Sequence, residues 1–187
     1  LNAISEVEAE HLDALKFLLL NMSRHDLQNL TAEFLLPNIE LADLARDNAN
    51  WKIPDDICFN DVLPYSNSDE PRDPWRQSFY DLCHPIVKDC KSPGEAAQQL
   101  NSTIFKELSV KYSTARKRAN QSPQESIDQG LASCTGLSIV LADACRSVGV
   151  PARLAGIPSW KNKKGNHTWV EVWDDGWHFT GAAEPNP

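Results

Sequence analysis

The sequence predicts an α+β fold: a helical N-terminal part, a helix that carries a cysteine, and antiparallel strands after it. Three stretches predict it. From Thr135 the apolar residues Leu137, Val140, Leu141, Ala144, Cys145 and Val148 recur at steps of three and four, so one helix face packs inward. In Asn166-His-Thr-Trp-Val-Glu-Val-Trp173 apolar and polar positions alternate, so a strand sets His167, Trp169, Glu171 and Trp173 on one face and Thr168, Val170 and Val172 on the other. Asp174-Asp175-Gly176 reads as a hairpin turn into a second strand, Trp177-His178-Phe179-Thr180.

The remaining elements follow in chain order. Ser5-Glu-Val-Glu is a capping box for a helix whose Leu12, Leu15, Leu18 and Leu19 run towards Met22. A second helix starts at Asp26 or Thr31, with Leu30, Phe34, Leu35, Ile39 and Leu41 inward and a bend at Pro37. Trp51 to Trp75 holds Pro54, Pro64, Pro71 and Pro74, which reads as an irregular connector; its Trp51, Phe59, Tyr65 and Trp75 either line a cleft or pack. Gln77 to Leu82 and Pro93 to Leu108 return to helix, and Val110-Lys-Tyr-Ser to a short strand. The run Arg116-Lys-Arg118 reads as a solvated loop rather than an anion site. Ser122 opens a short helix that Gly130 ends, and Ala152 to Ile157 forms the strand after the cysteine helix, which stops at Gly149. The expected organisation is one compact unit with a helical region over 1–50, a proline-rich connector and helix over 51–92, and a core over 93–187 that is open to truncation at its C-terminal end.

A net charge of −8 and a pI near 5.1 argue against nucleic acid or an anionic membrane as partner. The longest apolar run, Phe17 to Leu20, falls far short of the roughly 18 residues that span a bilayer. With 187 residues, 41% of them hydrophobic, the chain can bury a sizeable core. It begins at Leu1 rather than Met, as an excised piece or a mature form would. The odd set Cys58, Cys83, Cys90, Cys134 and Cys145 leaves one thiol free if four pair, which favours a secreted or periplasmic setting over the cytoplasm. Cys145 lies on the buried stripe and reads as a core residue. Cys83 and Cys90 on an unbroken helix would stand about 10 Å apart, too far for a disulfide, although Pro85 leaves the helix open to a break.

Cys134 falls on the first turn of its helix, where unpaired backbone N–H groups and the positive dipole end favour an anion. His167 stands on an ordered strand 33 residues later, and Glu184 follows the next strand, giving nucleophile, base and acid in that order. His178 reads as a surface or core residue. No zinc pattern and no calcium loop appears, so no cofactor is expected.

Ser133-Cys134-Thr135-Gly136, Gly149-Val150-Pro151-Ala152-Arg153, His167-Thr168-Trp169-Val170-Glu171-Val172 and Gly176-Trp177 together resemble the transglutaminase-like superfamily. The phrases Gly165 to Trp173 and Trp177 to Pro185 look like a bacterial branch of it. The resemblance implies a papain-like core, with the helix-borne Cys134 packed on an antiparallel sheet that carries His167 and an acid. It implies a thiol-dependent acyl transfer on a peptide amide through a thioester, as a cysteine peptidase, amidase or transglutaminase. Trp160, on the lysine-rich loop before His167, together with Trp169 and Trp177, are the candidate substrate contacts. The family acid falls at Gly181 here, so Glu184 must be brought in by a bend through Gly181-Ala182-Ala183. An inactive module that holds peptide or glycan in the same cleft is the alternative that this displacement favours.

Overall fold

The computed structural model of the chain describes residues 11–184. The expected capping box at Ser5 lies outside them. The order of elements is α1 (Leu12–Asn21), α2 (Arg24–Asn29), α3 (Ala32–Asn48), α4 (Asp55–Asp61), α5 (Arg76–Val87), α6 (Pro93–Glu107), β1 (Lys111–Tyr112), α7 (Pro123–Gln129), β2 (Leu131–Ala132), α8 (Cys134–Ser147), β3 (Ala152–Ile157), β4 (His167–Trp173) and β5 (Trp177–Thr180). The fold is α+β, as expected, with an antiparallel sheet in the order β3-β4-β5. β1 and β2 form a short parallel ladder of their own.

Helix α8 is the centre of the molecule. Every residue from Gly136 to Ser147 is buried, so it is wrapped on all sides rather than on the single face its apolar spacing suggests. Its polar residues are accommodated because each finds a partner inside. Ser147 donates to the Ala144 carbonyl, Asp143 accepts from Asn67, and Arg146 donates to the carbonyls of Ala152 and Ser66. Val170 and Val172 of β4 join Leu137, Val140, Leu141 and Ala144 in one core with Leu100 and Ile104 of α6 and Phe79 of α5. A second, smaller cluster gathers Leu15 and Leu18 of α1, Leu35 and Ile39 of α3, and Leu63 and Tyr65.

Register carries the chemistry. Ile157 pairs with His167 and Gly156 with Thr168 across β3 and β4, while Val170 pairs with Thr180 and Trp173 with Trp177 across β4 and β5. The alternation along β4 thus turns Thr168, Val170 and Val172 towards α8, and His167, Trp169 and Glu171 away from the apolar core.

The connector is more ordered than its prolines suggest. Pro54 sits at the N-cap of α4 and Pro64 follows its end, so the prolines bound a helix instead of preventing one. Pro37 lies within α3 and Pro85 within the last turn of α5, where only one backbone bond is forfeited and tertiary packing holds the helix. Gly130 stops α7 in the left-handed region, φ 63°, which a residue with a Cβ adopts at a cost. All five cysteines are free thiols. Trp51 and Trp75 donate to the carbonyls of Gly149 and Tyr65, and Phe59 packs on Phe17, so these aromatics are structural.

Arg76 locks the connector to α8. It is buried, and it donates to Asn38 Oδ1 and to the carbonyls of Val62, Leu63, Pro64 and Arg146. Burial, with the neighbouring Arg146 guanidinium, pushes its pKa down to about 9. Replacing a buried charge by an apolar side chain can be neutral when its partner leaves too, but here the partners are carbonyls that stay. Arg76→Leu is therefore expected to cost about 3 kcal/mol or more, read as a lowered urea midpoint at an unchanged slope.

Candidate active site

Ser133, Cys134 and Thr135 at the start of α8, with Asn166, His167 and Thr168 at the start of β4, line one cleft of about 360 Å³. Its other walls are Tyr112 of β1, then Thr114, Arg116, Ala119 and Asn120 in the loop that follows, and Gly156 to Pro158 at the end of β3. A groove of about 400 Å³ between α3 and residues 73–77 is slightly larger, but it holds neither cysteine nor histidine. Both candidate residues, Cys134 and His167, line the smaller cleft.

Two hydrogen bonds hold the mouth together. The hydroxyls of Thr135 and Thr168 are 3.0 Å apart, and Ser138 Oγ donates to the Thr168 carbonyl at 3.3 Å. The residue after the thiol is thus tied to the residue after the imidazole. Cys134 and His167 are both half-buried, whereas the other four cysteines are buried. Among the described residues no hydrogen bond joins Cys134 to His167.

The first turn of α8 is open although a serine precedes it. Ser23, Ser92 and Ser122 each accept a backbone N–H three residues on, and so cap their helices. Ser133 occupies the same position but makes no such bond, because its hydroxyl donates to the Ala119 carbonyl. The first-turn N–H groups at Cys134 are therefore left without a side-chain acceptor, at the positive end of the helix dipole and beside the cleft.

His167 is flanked by aromatics. Its ring stacks on Trp160 with centroids 6.1 Å apart and tilts against Trp169 at 6.2 Å. Lys163 lies over the Trp160 ring at 4.6 Å, and the loop closes where the Trp160 N–H donates to the Gly165 carbonyl. Trp177 stands farther along the sheet, under the Arg153 guanidinium at 3.7 Å and edge-on to Trp173. His178 is exposed, with its Nε2 3.0 Å from the Asp174 carbonyl oxygen.

Glu184 occupies an informative place. After β5 the chain turns back, with Ala183 at φ 62° and the Glu184 N–H donating to the Gly181 carbonyl. A Cβ at Gly181 would lie 2.8 Å from Glu184 Oε2. The carboxylate thus fills the space into which a side chain at 181 would project. By alternation from Phe179, partner of Glu171, that direction is the His167 face of the sheet. Among the described residues Glu184 makes no side-chain hydrogen bond to His167.

The turn has a clamp that the sequence reading missed. Asn101 of α6 is buried, donates to Thr180 Oγ1 and the Gly181 carbonyl, and accepts from the Ala183 N–H. Its signal was a polar residue inside the apolar stripe of Ala97, Leu100, Ile104 and Phe105. Arg116 is a second difference. It lies half-buried in the cleft wall rather than in a fully solvated loop. Among the described residues no group of three or more His, Cys, Asp or Glu could hold a metal ion, and no helix is long and apolar enough to cross a membrane.

A helix-borne thiol packed on an antiparallel sheet that presents a histidine is the architecture of papain-like thiol enzymes. The chain belongs to the transglutaminase-like superfamily, whose sequence model matches residues 80–180. Among solved structures it is similar to a candidate cysteine protease from Cytophaga hutchinsonii, with a TM-score of 0.53 and 17% identity over 72% of this chain. That likeness is one of fold, and this chain spans 44% of the length of that protein. No curated protein matches the sequence.

Asn101→Leu should remove three hydrogen bonds at once, leaving the Ala183 N–H unpaired and the Gly181 carbonyl with the Glu184 N–H alone. A loss of about 3 kcal/mol in chemical denaturation is expected, with faster amide exchange at Ala183 than at Val170.

Proposed function

We propose that the chain is a thiol-dependent acyl-transfer enzyme acting on peptide amides, with Cys134 as nucleophile, His167 as general base and acid, and Glu184 as the group that orients His167. The observation that carries this reading is a thiol at an uncapped helix start, in one cleft with a histidine from a strand 33 residues on. Family membership supports it at the level of a cysteine-dependent enzyme.

The chemistry follows from the parts. A free thiol with a pKa near 8.5 is only a few per cent ionised at neutral pH, so a proton acceptor is needed. His167 takes the proton from Cys134 Sγ as the sulfur bonds to the carbonyl carbon, and the carbonyl electrons move to oxygen. The uncapped N–H groups of α8 donate to that oxyanion. As the carbon–nitrogen bond breaks, the imidazolium passes its proton to the leaving amine. Water or a second amine then attacks the thioester, loses its proton to His167, and releases the thiolate. Water gives hydrolysis and an amine gives transamidation. Catalytic hydrogen bonds commonly tighten only with substrate in place, so an open Cys134–His167 pair in the free protein accords with this sequence.

Trp160 and Trp169 both flank the imidazole ring. Trp160 and Trp169, beside His167 rather than among the cleft-lining residues, are the substrate contacts in this reading, and Trp177 extends the sheet face of Trp169. Glu184 stands in for an acid at 181. Support for this is that its carboxylate occupies the space a side chain at 181 would enter.

Trapping with a peptide thioester or activated amide, read by intact mass, tests the proposal. A single hydroxylamine-sensitive acyl adduct on Cys134 is expected, absent in Cys134→Ala, and with turnover about 10² to 10⁴ lower in His167→Ala. Turnover that survives Cys134→Ala contradicts it. Comparing free acid with amine-labelled product separates the two acceptors. Glu184→Gln should lower turnover by about tenfold or more, and adding Gly181→Asp to that variant should recover part of it, because the new carboxylate grows from the place that Glu184 occupied.

A further inference from the structure

We infer that Arg116 is an anion subsite of the Cys134 cleft, and that the substrate carries a carboxylate close to the acyl group that is transferred. Arg116 is the sole side chain of fixed charge among the residues lining the cleft, and no Asp or Glu lines it. The guanidinium is underused. Its Nη1 donates to the Thr114 carbonyl two residues away, while its Nε is buried without a hydrogen-bond partner. Among the described residues no ion pair includes it.

That condition sets it apart from the other arginines that are shielded from solvent. Arg46, Arg72 and Arg153 pair with Asp55, Asp26 and Glu171, and Arg76 and Arg146 are spent on backbone carbonyls. In a chain of net charge −8, acidic partners are plentiful. Arg118, two residues on, has taken Glu125. A buried donor left open is costly, and the Nε edge of a guanidinium is the edge that meets a carboxylate in a bidentate pair. Lysines 161, 163 and 164 lie on the loop that joins Pro158 to Asn166, two further wall residues, and so add positive field at the same mouth.

The shared ligand chemistry is a peptide carboxylate, supplied by a chain terminus or by an acidic side chain. This inference rests on Cys134 being the group that meets substrate. Its test is chosen so that the two readings fail separately.

The rates of Cys134 alkylation by iodoacetate and by iodoacetamide differ in one carboxylate, and their ratio reads the anion subsite without any turnover. The ratio is expected to fall roughly tenfold in Arg116→Gln, to fall less in Arg116→Lys, and to fall in wild type as salt is raised. A ratio indifferent to Arg116→Gln, with the variant folded by circular dichroism, overturns the inference. Slow labelling by both reagents counts against the acyl-transfer reading alone, since the ratio is still measured. Binding to Cys134→Ala, read by tryptophan fluorescence, distinguishes the sources. A peptide with a free C-terminus is held best if the terminus is recognised, and an amidated peptide with an internal Glu if the side chain is. Equal binding of a neutral amidated peptide overturns the inference.

Discussion

The seam between α8 and β4 is the contact on which the site depends. Thr168 turns inward from the strand to meet Thr135 and Ser138, and below it Val170 and Val172 press on the buried face of the helix. Each buried aliphatic side chain contributes about 1.5–3 kcal/mol, so these valines fix the strand against the helix far more strongly than the two hydroxyl bonds could. The hydroxyl bonds set position instead. Because the side chains alternate along β4, burying Thr168 and Val170 obliges His167 and Trp169 to face the other way, at the rim where α8 begins. Core packing thus decides where the imidazole stands.

The same helix makes a second concession. Elsewhere in the chain a serine before a helix satisfies the first-turn N–H groups, and at Ser133 it does not. A surface helix would lose about 1 kcal/mol by this. Here α8 is enclosed by α5, α6, α7 and the sheet, so the packing more than offsets the loss, and N–H groups without a side-chain acceptor remain at Cys134.

Much of this was legible in the sequence because it is local. The apolar steps from Leu137 to Val148, the alternation from His167 to Trp173 and the turn at Asp174 to Gly176 each fit one element, and each formed as expected. A bend through Gly181-Ala182-Ala183 was expected to bring Glu184 to His167; the chain does turn there, and the Glu184 N–H returns to the Gly181 carbonyl. The carboxylate fills the space that the missing Gly181 side chain leaves. What stayed illegible is pairing between distant positions. Nothing near Asn101 announces that it clamps a turn some 80 residues later, and nothing near Arg116 announces that it lacks an acid while Arg118 has one. Helix α4 was hidden for another reason. Two prolines that bound a seven-residue helix look the same in sequence as two prolines that forbid one. The full burial of α8 was likewise hidden, since Asp143 and Arg146 on its second face resemble solvent-facing residues until Asn67 and the carbonyls of Ser66 and Ala152 are seen beside them.

The account stands on one coupling: the reactivity of the Cys134 sulfur depends on the His167 ring. Its most direct measurement is the rate of Cys134 alkylation by a neutral reagent at neutral pH, in wild type and in His167→Ala. The account predicts fast, stoichiometric labelling in wild type that slows by about tenfold or more in the variant. Equal rates in the two proteins would contradict it.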